Sequence, residues 1–248
     1  MEEHLLLLIP IFFLISIIYA SAGFGGGSSY LAILALFPID YTDIRIIALI
    51  CNIVVVTGSV YVFKKNDLLK LNRVWPLVLC SIPMAFLGGW YKINEKVFFI
   101  ILGIALLAAA LLMLFKSPGL ERNKLPKLSN ALIGGGIGFL SGLVGIGGGI
   151  FLSPVLHLTR WNVPKVIAAT TALFILVNSA AGLAGQLITN SLGASPLVII
   201  SLMATVFIGG QIGSNMTVKK FNPEYVRRIS GLLILIVALR LLYHWVIA

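Results

Sequence analysis

The sequence predicts an all-α polytopic membrane protein built from two inverted repeats, each a re-entrant helical hairpin plus three transmembrane helices. Three observations carry that reading. Long apolar segments run the length of the chain, a glycine-rich interruption occurs twice in corresponding places, and Lys and Arg divide unevenly under only one topology. Of the 248 residues, 59% are hydrophobic and 10% charged, against about 25% charged in an ordinary soluble domain. The mean hydropathy is +1.06. Most of such a chain cannot face water.

The elements follow in order. A spanning helix needs about 20 mostly apolar residues. Residues 5–37 are apolar but too long for one ordinary helix, and they break at Gly23-Phe-Gly-Gly-Gly27. Their start does not read as a cleavable signal peptide, because Glu2 and Glu3 precede it where basic residues belong. Segments 43–63, 74–91 and 96–115 read as three spanning helices. Residues 116–127, with Lys116, Arg122, Lys124, Lys127, Pro118 and Pro126, form a basic linker. A second overlong apolar stretch, 130–158, breaks at Gly145-Ile-Gly-Gly-Gly149. Segments 164–187, 195–215 and 225–246 complete the set. The whole chain, 1–248, is expected to be a single transmembrane domain with repeats at 1–115 and 128–248.

The repeat shows as ordered correspondences. Gly25–Gly27 fall on Gly147–Gly149 at an offset of 122. Arg45 falls on Lys165, Pro76 on Pro196 and Gly89 on Gly209 at 120, and Gly103 on Gly231 at 128. The order is kept while connection lengths change, as in a duplicated unit.

Charge decides how the broken stretches run. If both cross the membrane, Lys and Arg split nine against nine. If both are hairpins that return to the face they entered, the split is fourteen against four. A strong excess of basic residues marks the cytoplasmic side, so the hairpin reading is preferred. Each half then has three crossings, the second half is inverted, and both termini lie outside the cytoplasm. Broken helices at membrane depth are tolerated where they line a cavity, and inverted repeats with such helices place substrate between the halves in many secondary transporters.

The candidate site lies at the glycine turns. Short helices after Gly25, Gly26, Gly27 and Ser28, and after Gly147, Gly148 and Gly149, would start at mid-membrane. A helix start offers free N–H groups and a positive dipole end. Two such ends would hold an anion without a buried Lys or Arg. The competing reading is that the glycines only allow close helix packing. Asn52, Thr171 and Asn178 are polar residues inside spans; Thr171 and Asn178 are seven apart and share a helix face. Such groups either line a site or tie helices together. The small-residue stripes Ser81, Ala85, Gly89 and Ser201, Thr205, Gly209, Gly213 read as packing faces. Arg45 and Lys165, at equivalent segment starts, read as rim cations that snorkel or attract anions.

Other chemistries find little support. The net charge of +10 would suggest nucleic acid in a soluble protein, but here the basic residues sit in short loops and no nucleic-acid partner is expected. There is no His-Glu-x-x-His and no Gly-x-Ser-x-Gly. His4, His157 and His244 are scattered, so neither a metal nor a cofactor is expected, and the chain does not read as an enzyme. Cys51 and Cys80 lie in separate apolar segments and lack the Cys-x-x-Cys spacing of a redox pair.

At Ser21-Ala-Gly-Phe-Gly-Gly-Gly-Ser28 and Ser141-Gly-Leu-Val-Gly-Ile-Gly-Gly-Gly-Ile150, with Pro154 after the second copy, the chain resembles the sulfite exporter TauE/SafE family, also called the 4-toluene sulfonate uptake permease family. Ala168-Ala-Thr-Thr171 and Gly231-Leu-Leu-Ile-Leu add to the likeness. The first copy departs from the usual form at Phe24 and in its Ser-Ser-Tyr continuation. The resemblance implies a secondary carrier of sulfite or small organosulfur anions such as sulfonates, in a bacterial or archaeal inner membrane. The expected function is therefore export of such an anion by alternating access. A passive anion channel with the same site, or a non-transporting redox or assembly factor using Cys51 and Cys80, stands as the alternative. The expected partners are the anion and the lipid bilayer, with a homodimer open as the assembly.

Overall fold

The computed structural model describes residues 4–21, 23–114, 126–159, 161–219 and 223–247. Ten α-helices account for most of them: α1 (Leu5–Ser21), α2 (Gly27–Leu34), α3 (Tyr41–Lys65), α4 (Leu71–Trp90), α5 (Glu95–Leu114), α6 (Lys127–Val144), α7 (Gly149–Leu158), α8 (Pro164–Thr189), α9 (Pro196–Lys219) and α10 (Pro223–Leu242). Residues 116–125 of the expected linker lie outside the described residues, as do Ala22 of the first glycine motif, Arg160 and Lys220.

Each of the six expected spanning segments forms one helix, and each overlong stretch forms a long helix, a glycine turn and a short helix. Among the described residues α3, α4, α5, α8 and α9 are long and apolar enough to cross a membrane. Local chemistry explains several boundaries. Asp40 Oδ1 accepts from the Thr42 N–H at 2.7 Å and caps α3. Asp43 sits in the first turn of α3 and Lys64 and Lys65 in its last, both favourable to the helix dipole. Pro164 starts α8, where its missing N–H costs nothing.

The core is mainly apolar, but so is much of the outer surface. Leu197, Ile200, Phe207 and Ile208 on α9, and Trp75, Leu79 and Leu87 on α4, are exposed. Asn52, Thr170, Thr171, Asn178 and Ser179 are fully buried. An apolar belt of this extent suits lipid rather than water. Exposed Trp75 and Trp90 stand near opposite ends of α4. Fifteen residues of helix separate them by about 22 Å, as aromatic girdles at two membrane interfaces do.

The packing exchanges partners between halves. α4 lies along α6, and α1 along α9; α4 meets α8, and α3 meets α9. α2 packs on α3 as α7 does on α8, and α5 touches α7 as α10 touches α2. α3 pairs with α8, and α5 with α10. Each contact maps onto another, or onto itself, when α1–α5 are exchanged for α6–α10.

Small residues make the close contacts. A Cβ on Gly134, Gly138 or Gly142 of α6 would strike the backbone of Leu77, Ser81 or Ala85 on α4. A Cβ on Gly209 or Gly213 of α9 would strike Phe13, Ser16 or Ile17 on α1. These rows are the small-xxx-small faces of membrane helices.

Candidate functional site

The two glycine turns are built alike. α2 and α7 each begin after a left-handed glycine, Gly26 (φ 89°) and Gly148 (φ 80°). A side chain is strained in that conformation. It would also meet the Tyr30 ring at Gly26 and the Phe174 ring at Gly148, each at 2.9 Å.

Each turn is clasped by α3 and α8. A Cβ on Gly23 would meet Ala168 of α8, and one on Gly25 or Gly27 would meet Asn52 of α3. In the second turn, a Cβ on Gly145 would meet Arg45 of α3, and one on Gly147 or Gly149 would meet Ile175 of α8. The face of α3 carrying Arg45, Asn52 and Val56 thus corresponds to the face of α8 carrying Ala168, Ile175 and Ser179. This alters one expectation. Arg45 occupies the place of Ala168, not of Lys165, and it is buried, while Lys165 is exposed. The contacts at the glycine turns thus shift the register between α3 and α8 by three residues from the sequence alignment.

Asn52 joins the turns. Its Oδ1 accepts from the Gly27 N–H at 2.8 Å, and its Nδ2 donates to the Ile146 carbonyl at 2.8 Å. Ile146 lies 94 residues along the chain, so one amide holds the tip of each half against the other. The Ser29 and Tyr30 N–H groups both return to the Gly26 carbonyl, and the Phe151 and Leu152 N–H groups return to that of Gly148. Among the described residues, the N–H groups of Ser28, Gly149 and Ile150 find no backbone acceptor. They are the orphan donors of a helix start.

Gly25, Gly26, Gly27, Ser28, Asn52 and Gly149 line one cavity between the turns, together with Tyr19, Ile146, Ile150 and Ile175. Its volume is about 10 Å³, room for about one water. Gly147 lies beside it, against Asn52 and Ser179, and Gly148 packs on Phe174 and Ser141. Thr171 turns its methyl toward Gly149, and its hydroxyl has no partner among the described residues. Asn178 donates to the Phe174 carbonyl at 2.8 Å, and its Oδ1 has no partner among the described residues. Neither Thr171 nor Asn178 lines the cavity.

Residues outside the expected set also meet there. Tyr19 accepts from the Ser29 hydroxyl at 2.6 Å. Ser179, buried and with no hydroxyl partner among the described residues, stands 2.6 Å from where a Gly147 Cβ would be. The signal for Ser179 is spacing: it continues the Ala168–Ile175 face of α8 at i, i+7 and i+11. Cys51 is buried and Cys80 exposed, both unpaired. A larger open cavity of about 610 Å³ lies elsewhere, lined by Lys70, Asn72 and Arg73 at the start of α4 and by Asn162 and Val163 before α8.

The family model for the sulfite exporter TauE/SafE matches residues 8–241. A probable membrane transporter protein of Sinorhizobium fredii is 34% identical over 238 residues, covering 94% of this chain and 96% of that one. A probable membrane transporter protein of Methanocaldococcus jannaschii is 26% identical over 256 residues, covering 92% of each. No solved structure matches the chain. With matching helices, matching glycine turns and a family model spanning nearly its full length, the chain belongs to the sulfite exporter TauE/SafE family and is a multi-pass membrane transporter.

Proposed function

We propose that the protein carries sulfite or a small organosulfur anion by alternating access, with the anion held between the two glycine turns. One observation carries the reading: turns from both halves open onto a single cavity and are tied across it by Asn52. The donors are backbone N–H groups of Ser28, Gly149 and Ile150, the Ser28 side chain and the Asn52 amide. Each helix start carries about half a positive charge. Two of them balance about one negative charge without a buried Lys.

In this conformation the cavity holds about one water, so a sulfur oxyanion enters only when the turns part. Breaking the Asn52 bridge at either end separates them; at the Gly27 end it frees the Gly27 N–H for the anion, and at the Ile146 end it frees the Asn52 Nδ2. The halves are inverted repeats in this reading, each with a hairpin that re-enters. Both termini lie on the outer face of an inner membrane. The partner exchange between halves supports this plan. The cavity lined by Lys70 and Arg73 is then the cytoplasmic mouth, where basic residues gather anions before export.

The test is counterflow of isotopically labelled sulfite in proteoliposomes. A carrier accumulates label transiently against unlabelled sulfite inside and saturates. Conductive, non-saturating flux would replace the carrier with a channel. Counterflow of an unrelated solute with none of sulfite or sulfonates would remove the substrate class.

A further inference from the structure

We infer that Arg45 is a second anion-coordinating point, which meets the transported oxyanion between the outer end of α3 and the central cavity; its part in flux rests on the transport reading above. Arg45 is the fifth residue of α3 and is 1% exposed. Its Nε and Nη2 have no acceptor among the described residues. The carboxylate nearest in sequence, Asp43, is occupied by the Gly193 N–H at 2.8 Å. Residues two apart on a helix do not face each other. The Phe98 ring of α5 lies against it, its centroid 5.8 Å from Arg45 Cζ.

A buried guanidinium without a counter-charge is costly. A ring face offsets part of that cost and leaves the in-plane N–H donors unused. Those donors form a planar fork that matches two oxygens of an oxyanion. Sulfite, sulfate and sulfonates present such a pair of oxygens, whereas chloride does not.

Position gives this charge its meaning. Arg45 backs onto Gly145, the first left-handed glycine of the second turn. Seven residues on, and so on the same face, Asn52 holds Ile146 and Gly27. About 10 Å of helix separates the two side chains. Arg45, Gly145 and Asn52 thus form one row that ends at the cavity. Only α3 carries this cation; the equivalent face of α8 has Ala168. The proposed path is therefore electrostatically asymmetric. The anion meets a fixed charge on the outer side of the turns and none at the matching place on the inner side.

The experiment measures thermal stabilisation of the purified full-length protein by sulfite and sulfate, at ionic strength matched with sodium chloride, together with sulfite counterflow. Arg45→Gln is expected to raise the half-saturating sulfite concentration tenfold or more, as loss of a charged hydrogen bond does, by about 1.4 kcal/mol per decade. It is also expected to raise KM for outer sulfite more than it lowers kcat. Arg45→Lys keeps the charge but loses the fork, and is expected to fall between. An Arg45→Lys protein indistinguishable from wild type means a long-range charge effect and overturns coordination. So does Arg45→Gln with unchanged half-saturation. If Arg45→Gln does not fold, Arg45→Lys alone decides. If stabilisation depends on Arg45 while wild type shows no counterflow, the transport reading fails and the anion site stands. If no oxyanion stabilises wild type, the Arg45 site is overturned.

Discussion

At the residue scale, Asn52 is the most informative position. A lone amide in an apolar span was legible in the sequence as either a ligand or a tie. Its partners, Gly27 and Ile146, lie 25 and 94 residues away, beyond the reach of any local pattern. Replacing it with Ala leaves two buried backbone groups unpaired, at about 1–3 kcal/mol each. Asn52→Ala is therefore expected to lower stability by about 2–6 kcal/mol, measured by denaturant or thermal unfolding in detergent. Asn52→Asp keeps the bond from Gly27 but turns a carboxylate oxygen toward the Ile146 carbonyl, so it is expected to lose the tie between the turns and to weaken anion binding as well. If Asn52→Ala unfolded like wild type, the amide would not be the clasp. The rest of the site was partly hidden for the same reason. Ser179 and Ile175 reach the turns because α8 lies against them, a contact between elements that local sequence does not show. Arg45 was misplaced by a three-residue slip in register, which only contact between elements reveals.

At the element scale, apolar run length and glycine placement carried nearly all the helices. Six segments and two broken stretches were readable because apolar runs near 20 residues and triple glycines are strong local signals. What was not readable was partner choice, since lipid-facing and protein-facing surfaces are both apolar in a membrane span. The glycine row of α6 gives a direct test. A Cβ on Gly142 would collide with the Ala85 carbonyl, whereas Gly136 has nothing within 4 Å. Gly142→Ala is expected to destabilise by about 1–3 kcal/mol through overpacking. Gly136→Ala should be neutral or gain up to about 1 kcal/mol from helix propensity. Equal unfolding temperatures for the two variants would contradict the α4–α6 packing.

At the scale of the whole molecule, the division of basic residues is our ground for proposing which loops lie on which side. The loop from α3 to α4 is expected in the cytoplasm and the loop from α4 to α5 outside. In a variant with Cys51 and Cys80 replaced by Ala, a membrane-impermeant maleimide should label Lys92→Cys in intact cells. It should label Lys70→Cys only after permeabilisation. The reverse pattern would invert the molecule, and equal labelling would end the fixed topology. The exchange of packing partners between halves also gives the turns their setting: each is held by α3 from one half and α8 from the other. A motion that separates the halves must therefore open the cavity between Gly27 and Gly149.

The measurement that bears most directly on that cavity is thermal unfolding of the purified protein with and without sulfite, in wild type and in Gly26→Ala and Gly148→Ala. Each Ala enters a left-handed position and costs about 1–2 kcal/mol on its own, so each variant is compared with itself in the absence of anion. Sulfite should stabilise wild type with a saturating dependence on concentration, and both variants should lose that increment while remaining folded. An equal sulfite-dependent shift in all three proteins would place the anion somewhere other than the glycine turns.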